Sequence, residues 1–102
     1  MAVQFREGWL NFPPTTGRRQ RAETSVTFPR NVQSAQVVLK GYSVNYNNGD
    51  HHILQLEIDL DTLRIIGPTV SIAGDFVFRD SSGFFDDPYS GWINFVVIAD
   101  LV

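Results

Sequence analysis

The stretch from Ala35 to Asp61 constrains the fold most, because it alternates apolar and polar residues over two long segments. A period of two is typical of β-strands and is poorly matched to a helix. Asn48-Gly49 separates the segments, and both residues tolerate the positive φ angles that a two-residue type I′ turn requires. The sequence therefore predicts a long β-hairpin, around which the other segments are organised.

A change of phase lies inside the first of these two segments. Apolar residues occupy odd positions up to Leu39 and even positions from Tyr42 onward. One extra, unpaired residue would shift the pattern in this way, so we expect a β-bulge near Lys40-Gly41.

The second segment carries aliphatic side chains on one face and the carboxylates of Glu57, Asp59 and Asp61 on the other. This acidic face must meet solvent, a cation or basic partners. The basic cluster of the chain is residues 18–21 (RRQR). Three interpretations of that cluster stay open: a solvated loop, a contact for an anion or ligand, or salt bridges to the acidic face.

Alternating patterns predict four further strands outside the hairpin. Their expected ranges are Met1–Phe12, Glu23–Phe28, 69–80 and Trp92–Leu101. Turn signals separate them, at residues 13–17 (PPTTG) and at Gly67-Pro68. The pattern predicts an all-β chain: one domain over residues 1–102, built as an antiparallel β-sandwich of about six strands.

Two of these strands lead to specific expectations about burial. In the first strand we expect Val3, Phe5 and Trp9 to point inward. The last strand is apolar on both faces, which predicts either a central position or contact of one face with another subunit. Ile98→Asp is accordingly expected to prevent folding or assembly, because an unpaired buried carboxylate costs several kcal/mol.

Composition excludes several classes of protein. A charged fraction of 19% and an apolar fraction of 43% indicate a globular chain, and the net charge of -3 argues against a nucleic-acid partner. No cysteine is present, so disulfides and thiolate metal sites are excluded; this fits a reducing cytoplasm and a secreted protein equally. No apolar run approaches the roughly 20 residues of a membrane-spanning helix, and the N-terminal residues do not resemble a signal peptide.

The segment from Asp80 to Gly91 (DSSGFFDDPYSG) is predicted to be a long loop. Its carboxylates and backbone carbonyls are the ligands that calcium prefers, although the spacing is not that of an EF-hand. Asp80, Asp86 and Asp87 are therefore candidate calcium ligands. The alternative is that Asp86-Asp87-Pro88 forms a turn and that Asp80 pairs with an arginine.

Motifs for catalysis are weak. Asp50-His51-His52 follows the predicted turn, but adjacent histidines on a strand point to opposite faces, so a transition-metal enzyme is the less favoured alternative. No serine lies in a nucleophile elbow, and the chain has neither a P-loop nor a dinucleotide-binding glycine motif. The sequence predicts that the protein is not an enzyme.

The order of motifs resembles an H-type lectin domain. Trp9 precedes a Pro/Gly loop, and the short strand VTF follows at Val26–Phe28. AQVVLKGYSV, VSIAGDFVFRD and WINFVVIAD are similar to later strands of that family. In one place the chain departs from the family pattern: the loop that usually carries a tryptophan reads RDSSGFFDDP.

The resemblance implies a six-stranded antiparallel β-sandwich that assembles as a trimer or hexamer and binds glycans, commonly N-acetylgalactosamine, in clefts between subunits. Carried onto this chain, it implies ligand contacts at Gly17, Arg18, Arg19, Asp80, Asp86, Asp87 and Tyr89.

An aromatic ring is also expected to stack on the apolar face of a sugar, with Tyr89, Phe84, Phe85 and Trp92 as candidates; the alternative for these rings is core or interface packing. The alternative function is a structural or adhesion module that forms trimers within a larger assembly and binds no small molecule.

Overall fold

The computed structural model describes residues 2–16, 19–47, 53–80 and 88–102. This part of the chain contains six strands: β1 (Ala2–Thr15), β2 (Gln20–Thr27), β3 (Val32–Tyr46), β4 (Ile53–Ile66), β5 (Thr69–Asp80) and β6 (Tyr89–Leu101). They form two antiparallel three-stranded sheets, with strand orders β1-β6-β3 and β2-β5-β4. The predicted all-β class and the number of strands are confirmed. No helix that could cross a bilayer occurs among these residues.

The predicted pairing of the long hairpin is wrong. Both of its strands form, but β3 pairs with β6 in one sheet and β4 pairs with β5 in the other. Residues 48–52, which include the predicted turn, lie outside the described residues. Alternation could not decide the pairing, because it shows only that a strand has one apolar face. Two consecutive strands can bury such faces as neighbours in one sheet or as members of two sheets that pack against each other.

Two details of β3 and β6 are confirmed. Leu39 pairs with Phe95 and Gly41 pairs with Asn94, so Lys40 is the extra residue of a bulge at the predicted position. The central strand of its sheet is β6, flanked by β1 and β3, as its two apolar faces indicated.

The core lies between the two sheets and is rich in aromatic rings. Phe12 meets Phe76 edge-on with ring centroids 4.7 Å apart, and Tyr46 stacks on Phe78 at 4.6 Å. Tyr89 is 1% exposed and donates its phenolic hydrogen to the carbonyl of Phe76 at 3.2 Å. These contacts fasten the β1-β6-β3 sheet to the β2-β5-β4 sheet at the end where β6 begins.

The direction of the side chains in β1 is the reverse of the prediction. Leu10 and Phe12 are buried, whereas Val3, Phe5 and Trp9 are 58%, 64% and 53% exposed. Both phases of this strand contain apolar residues, so alternation alone could not choose between them. Gly8 belongs to the inward phase, because the ring of Phe95 fills the space that a side chain at residue 8 would need.

Candidate functional site

The outer face of the β1-β6-β3 sheet carries both tryptophans of the chain. Antiparallel register places Asn11, Trp92 and Ser43 in one row across the three strands. Trp9, Asn94 and Gly41 form the next row, so the two indoles are diagonal neighbours on one surface. Trp92 is 40% exposed.

Trp92 borders a shallow groove of about 440 Å³ at the end of this face. We call it the Trp92 groove and define it by Trp92, Asn11, Pro14, Ser43, Asn45 and Ser90. Asn47 donates a hydrogen bond to Ser90 Oγ at 3.1 Å and so orients that hydroxyl. The groove thus combines an indole with amide and hydroxyl groups.

Two glycines shape the floor of the Trp92 groove. A side chain at Gly91 would overlap the backbone of Ser43, so the absence of one lets β6 and β3 run close together there. At Gly41 a Cβ atom would lie 4.0 Å from Cζ3 of Trp92, which places the indole beside the bulge of β3. The lack of a side chain at Gly41 therefore leaves space beside the indole.

The other half of the same face carries most of its exposed aliphatic side chains and one phenylalanine. Its exposed or half-buried apolar members, which we call the apolar strip, are Val3, Phe5, Val38, Val96 and Ile98. Register places Phe5 beside Ile98 and Val96 between Glu7 and Val38. At the far end, Val3, Ser34, Gln36, Ile98 and Asp100 line a cleft of about 210 Å³.

An ion pair separates the Trp92 groove from the apolar strip. Lys40, the bulge residue of β3, donates to Glu7 Oε1 of β1 at 2.6 Å. The hydrogen bond from Lys40 lowers the pKa of Glu7, and a second one from Asn94 lowers it further. Asn94 also donates to the carbonyl of Gly8 at 3.0 Å, which holds its amide in the sheet.

The outer face of the opposite sheet is charged, and two arginines form ion pairs with part of its carboxylates. Arg21 lies 3.3 Å from the buried carboxylate of Asp75, and Arg19 lies 3.2 Å from Glu57. Of the three interpretations of the basic cluster, a salt bridge to the predicted acidic face is confirmed for Arg19, which pairs with Glu57, whereas Arg21 pairs with Asp75 of β5.

Asp59, Asp61 and Asp75 have carboxylate oxygens within 4.8 Å of one another. Such oxygens are suitable ligands for a hard cation. Arg21, however, already donates to both oxygens of Asp75, at 3.4 and 3.3 Å. This cluster therefore has a partner within the chain and does not by itself indicate a metal site.

Of the residues predicted to contact a ligand, the structure describes the side chains of Arg19 and Tyr89, so the predicted set of contacts stays a prediction. Gly17, Arg18, Asp86 and Asp87 lie outside the described residues, as do Phe84, Phe85 and both histidines. Asp80 ends β5, but its side chain is likewise outside the description. The calcium ligands Asp80, Asp86 and Asp87 and the absence of catalysis therefore stay predictions.

The predicted surface role of Tyr89 needs correction. Its ring belongs to the core, and burial raises its pKa against the opposing effect of the hydrogen bond from Gln20. Of the two candidate rings that the structure describes, Trp92 and Tyr89, it is Trp92 that lies in a groove.

The prediction missed the polar neighbours of Trp92. Asn11 lies on an outward position of β1, and Ser43 and Asn45 lie on outward positions of β3. The signal that would have found them is the bulge at Lys40, because the change of phase turns odd residues of β3 outward. Without the strand pairing, nothing indicated that β1 and β3 flank Trp92.

No protein-family model matches the chain, and comparisons with curated proteins and with solved structures found no significant match. The resemblance to H-type lectin domains therefore stays a prediction.

Proposed function

We propose that the chain is a carbohydrate-binding module that acts as an oligomer and that the Trp92 groove holds the sugar. The observation that supports this proposal is an exposed indole flanked by two amides and two hydroxyls on a flat sheet surface. A pyranose presents one apolar face and a ring of hydroxyls. The indole complements that face, and the side chains of Asn11, Asn45 and Ser43 complement the hydroxyls.

The chemistry of the groove favours a neutral sugar. All the side chains that line it are uncharged, so no group is available to neutralise a sulfate or a carboxylate. N-acetylhexosamines, including the N-acetylgalactosamine that the resemblance implies, fit this requirement because their acetamido group is neutral.

We expect a single site to bind weakly. The groove is open and a monosaccharide would make few contacts, so a dissociation constant on the order of 1 mM, or about 4 kcal/mol, is reasonable. Several copies held together would raise the apparent affinity for a clustered glycan through effective concentration. An oligomer is therefore part of the proposed function.

Titration of the isotope-labelled protein with galactose, N-acetylgalactosamine, glucose and N-acetylglucosamine, followed by NMR, tests the proposal. We expect shifts at the indole N–H of Trp92 and at the side-chain amides of Asn11 and Asn45. Trp92→Ala should weaken binding at least about tenfold, whereas Trp9→Ala, the matched control on the same face outside the groove, should change it far less. Repeating the titration with added calcium tests the predicted dependence on that ion.

Two results would count against this assignment. The absence of chemical-shift changes with every sugar would contradict the proposed function. Shifts confined to the segment from Asp80 to Pro88 would support sugar binding but would contradict the Trp92 groove as its site. The site would then lie in the loop that the resemblance implies.

The second candidate is a structural or adhesion module without a small ligand. The apolar strip favours it, because a large exposed apolar surface marks an interaction site more often than a sugar site. Assembly in solution together with flat sugar titrations would support this second function.

A further inference from the structure

We propose that the apolar strip of the β1-β6-β3 sheet is the surface by which one copy of this chain contacts another. The proposal names the contact face for the oligomer in the proposed function and rests on that part of it. It does not depend on the Trp92 groove, since it is carried by different residues.

The amount of exposed apolar surface is the first argument. Val3, Phe5 and Trp9 are more than half exposed, and Val38 and Ile98 are 46% and 38% exposed. With aromatic side chains of 150–250 Å² and smaller aliphatic ones, the four strip residues leave about 350 Å² of apolar surface in contact with water, and Trp9, across the Lys40–Glu7 pair on the same outer face, raises the total to about 500 Å². An interface of standard size buries about 800 Å² per partner, of which about 60% is apolar, or roughly 500 Å². One such face therefore supplies the apolar area that a stable contact needs.

The charge on this face is the second argument. Its central ionic groups, Lys40 and Glu7, neutralise each other at 2.6 Å. A nucleic acid or an anionic surface would need unpaired cations there. A second copy brings the same neutral pair and the same apolar side chains, as the self-complementary contacts of homo-oligomers require.

An unsatisfied acceptor at the end of the apolar strip is the third argument. Asp100 Oδ1 is buried and accepts no hydrogen bond from the part of the chain that the structure describes. A buried carboxylate oxygen without a donor is costly. The cleft beside it also contains Ser34 and Gln36, which carry donors. A second copy packed on this cleft brings a hydroxyl and an amide within reach of Asp100.

The exposure of Ile98 changes the expectation for its substitution. Because its side chain faces outward and is 38% exposed, Ile98→Asp should leave the chain folded and should weaken association. Phe5→Asp, on the neighbouring strand, should act in the same way. Leu63→Asp is the matched control, because Leu63 is 42% exposed but belongs to β4 in the opposite sheet.

Sedimentation velocity over a range of concentrations tests the proposal, with circular dichroism of each variant to check folding. We expect the wild type and Leu63→Asp to form the same oligomer, and we expect Ile98→Asp and Phe5→Asp to associate at least about tenfold more weakly. A wild type that stays monomeric at its highest soluble concentration would overturn the proposal, and so would unchanged association of both strip variants.

A measurement on the wild type keeps the test decisive if a variant does not fold. The concentration-dependent shifts of its backbone amides should fall on β1, β6 and β3, around Phe5, Val38 and Ile98. Shifts on β2 and β4 instead would overturn the proposal.

Sugar titrations of the Ile98→Asp monomer distinguish the proposed function from the proposed contact face. Intact sugar binding by this monomer would show that the Trp92 groove binds without the contact face. A wild type that associates but shows no response to any sugar would contradict the proposed function and would still support the proposed contact face.

Discussion

The ammonium group of Lys40 reaches across β6 and lies 2.6 Å from the carboxylate of Glu7. The pair joins the two edge strands of the β1-β6-β3 sheet over its central strand. It also marks the boundary between the Trp92 groove and the apolar strip. A bulge is needed for this contact, because Lys40 is the residue that the register of β3 skips.

Removal of the ammonium group should restore the ordinary titration of Glu7. The folded protein holds the pKa of Glu7 low, so the stabilising effect is present above the ordinary value of about 4.3 and is lost as pH falls through the lowered value. In Lys40→Met we expect the pKa of Glu7 to rise, as measured by NMR of its carboxyl carbon. The difference in melting temperature between the two proteins should shrink in acid. An unchanged Glu7 titration would show that Asn94, rather than Lys40, dominates.

Tyr89 should make the protein sensitive to alkali. Burial raises its pKa in the folded state, so its contribution to the free energy of unfolding is fully present below about pH 10 and is lost as pH rises through the folded value. Tyr89→Phe should remove this component and, near neutral pH, cost about 1 kcal/mol through loss of the hydrogen bond to Phe76. Urea unfolding from neutral pH to about pH 11 in both proteins measures the difference. Parallel curves would contradict the assignment.

Gly91 should tolerate no side chain, whereas nearby Gly41 should accept one. A Cβ atom at Gly91 would overlap the backbone of Ser43, so Gly91→Ala must force β6 and β3 apart and should cost at least about 2 kcal/mol. At Gly41 the nearest atom lies 4.0 Å away, and Gly41→Ala should change stability by less than about 1 kcal/mol. Chemical unfolding of the pair gives the comparison. Equal stabilities would mean that the two strands separate without cost.

Loss of Arg21 should destabilise the β2-β5-β4 sheet. Arg21→Met leaves the carboxylate of Asp75 buried near Asp59 and Asp61 without its 3.3 Å cation. Because Arg21 is itself half exposed, we expect a cost of about 1–2 kcal/mol rather than the larger cost of a fully buried pair. Arg64→Met is the control on the same sheet, because Arg64 forms no ion pair with other residues that the structure describes. If both variants lose the same stability, the contact with Asp75 contributes little.

The sequence was informative where a local pattern has only one structural solution. The period of two predicted the strands. The change of phase near Lys40 predicted the bulge, because an extra residue next to a glycine is the usual cause of such a change. Two apolar faces gave the central position of β6. Each of these inferences depends on residues close together in the chain.

Pairing and surface chemistry could not be predicted in the same way. β3 and β4 both have an apolar face. These faces can be buried equally well whether the two strands pair as a hairpin or lie in two sheets that pack together. Both phases of β1 contain apolar residues, so the outward direction of Phe5 depends on packing around Gly8. The Trp92 groove combines three strands distant in sequence, and its residues share no local motif.

The pairing of β1 with β6 also has a consequence for the folding pathway. Ala2 is the register partner of Leu101, so this ladder closes a loop of nearly the whole chain. Among the six described strands, only β4 and β5 are both consecutive in sequence and paired in one sheet. Their pairing therefore has the lowest entropic cost of loop closure as a first step in folding. Chains dominated by such distant pairing fold in milliseconds to seconds rather than microseconds. Until β6 docks, both edge strands of its sheet remain unpaired templates for aggregation, so slow docking is expected to lower the yield on refolding.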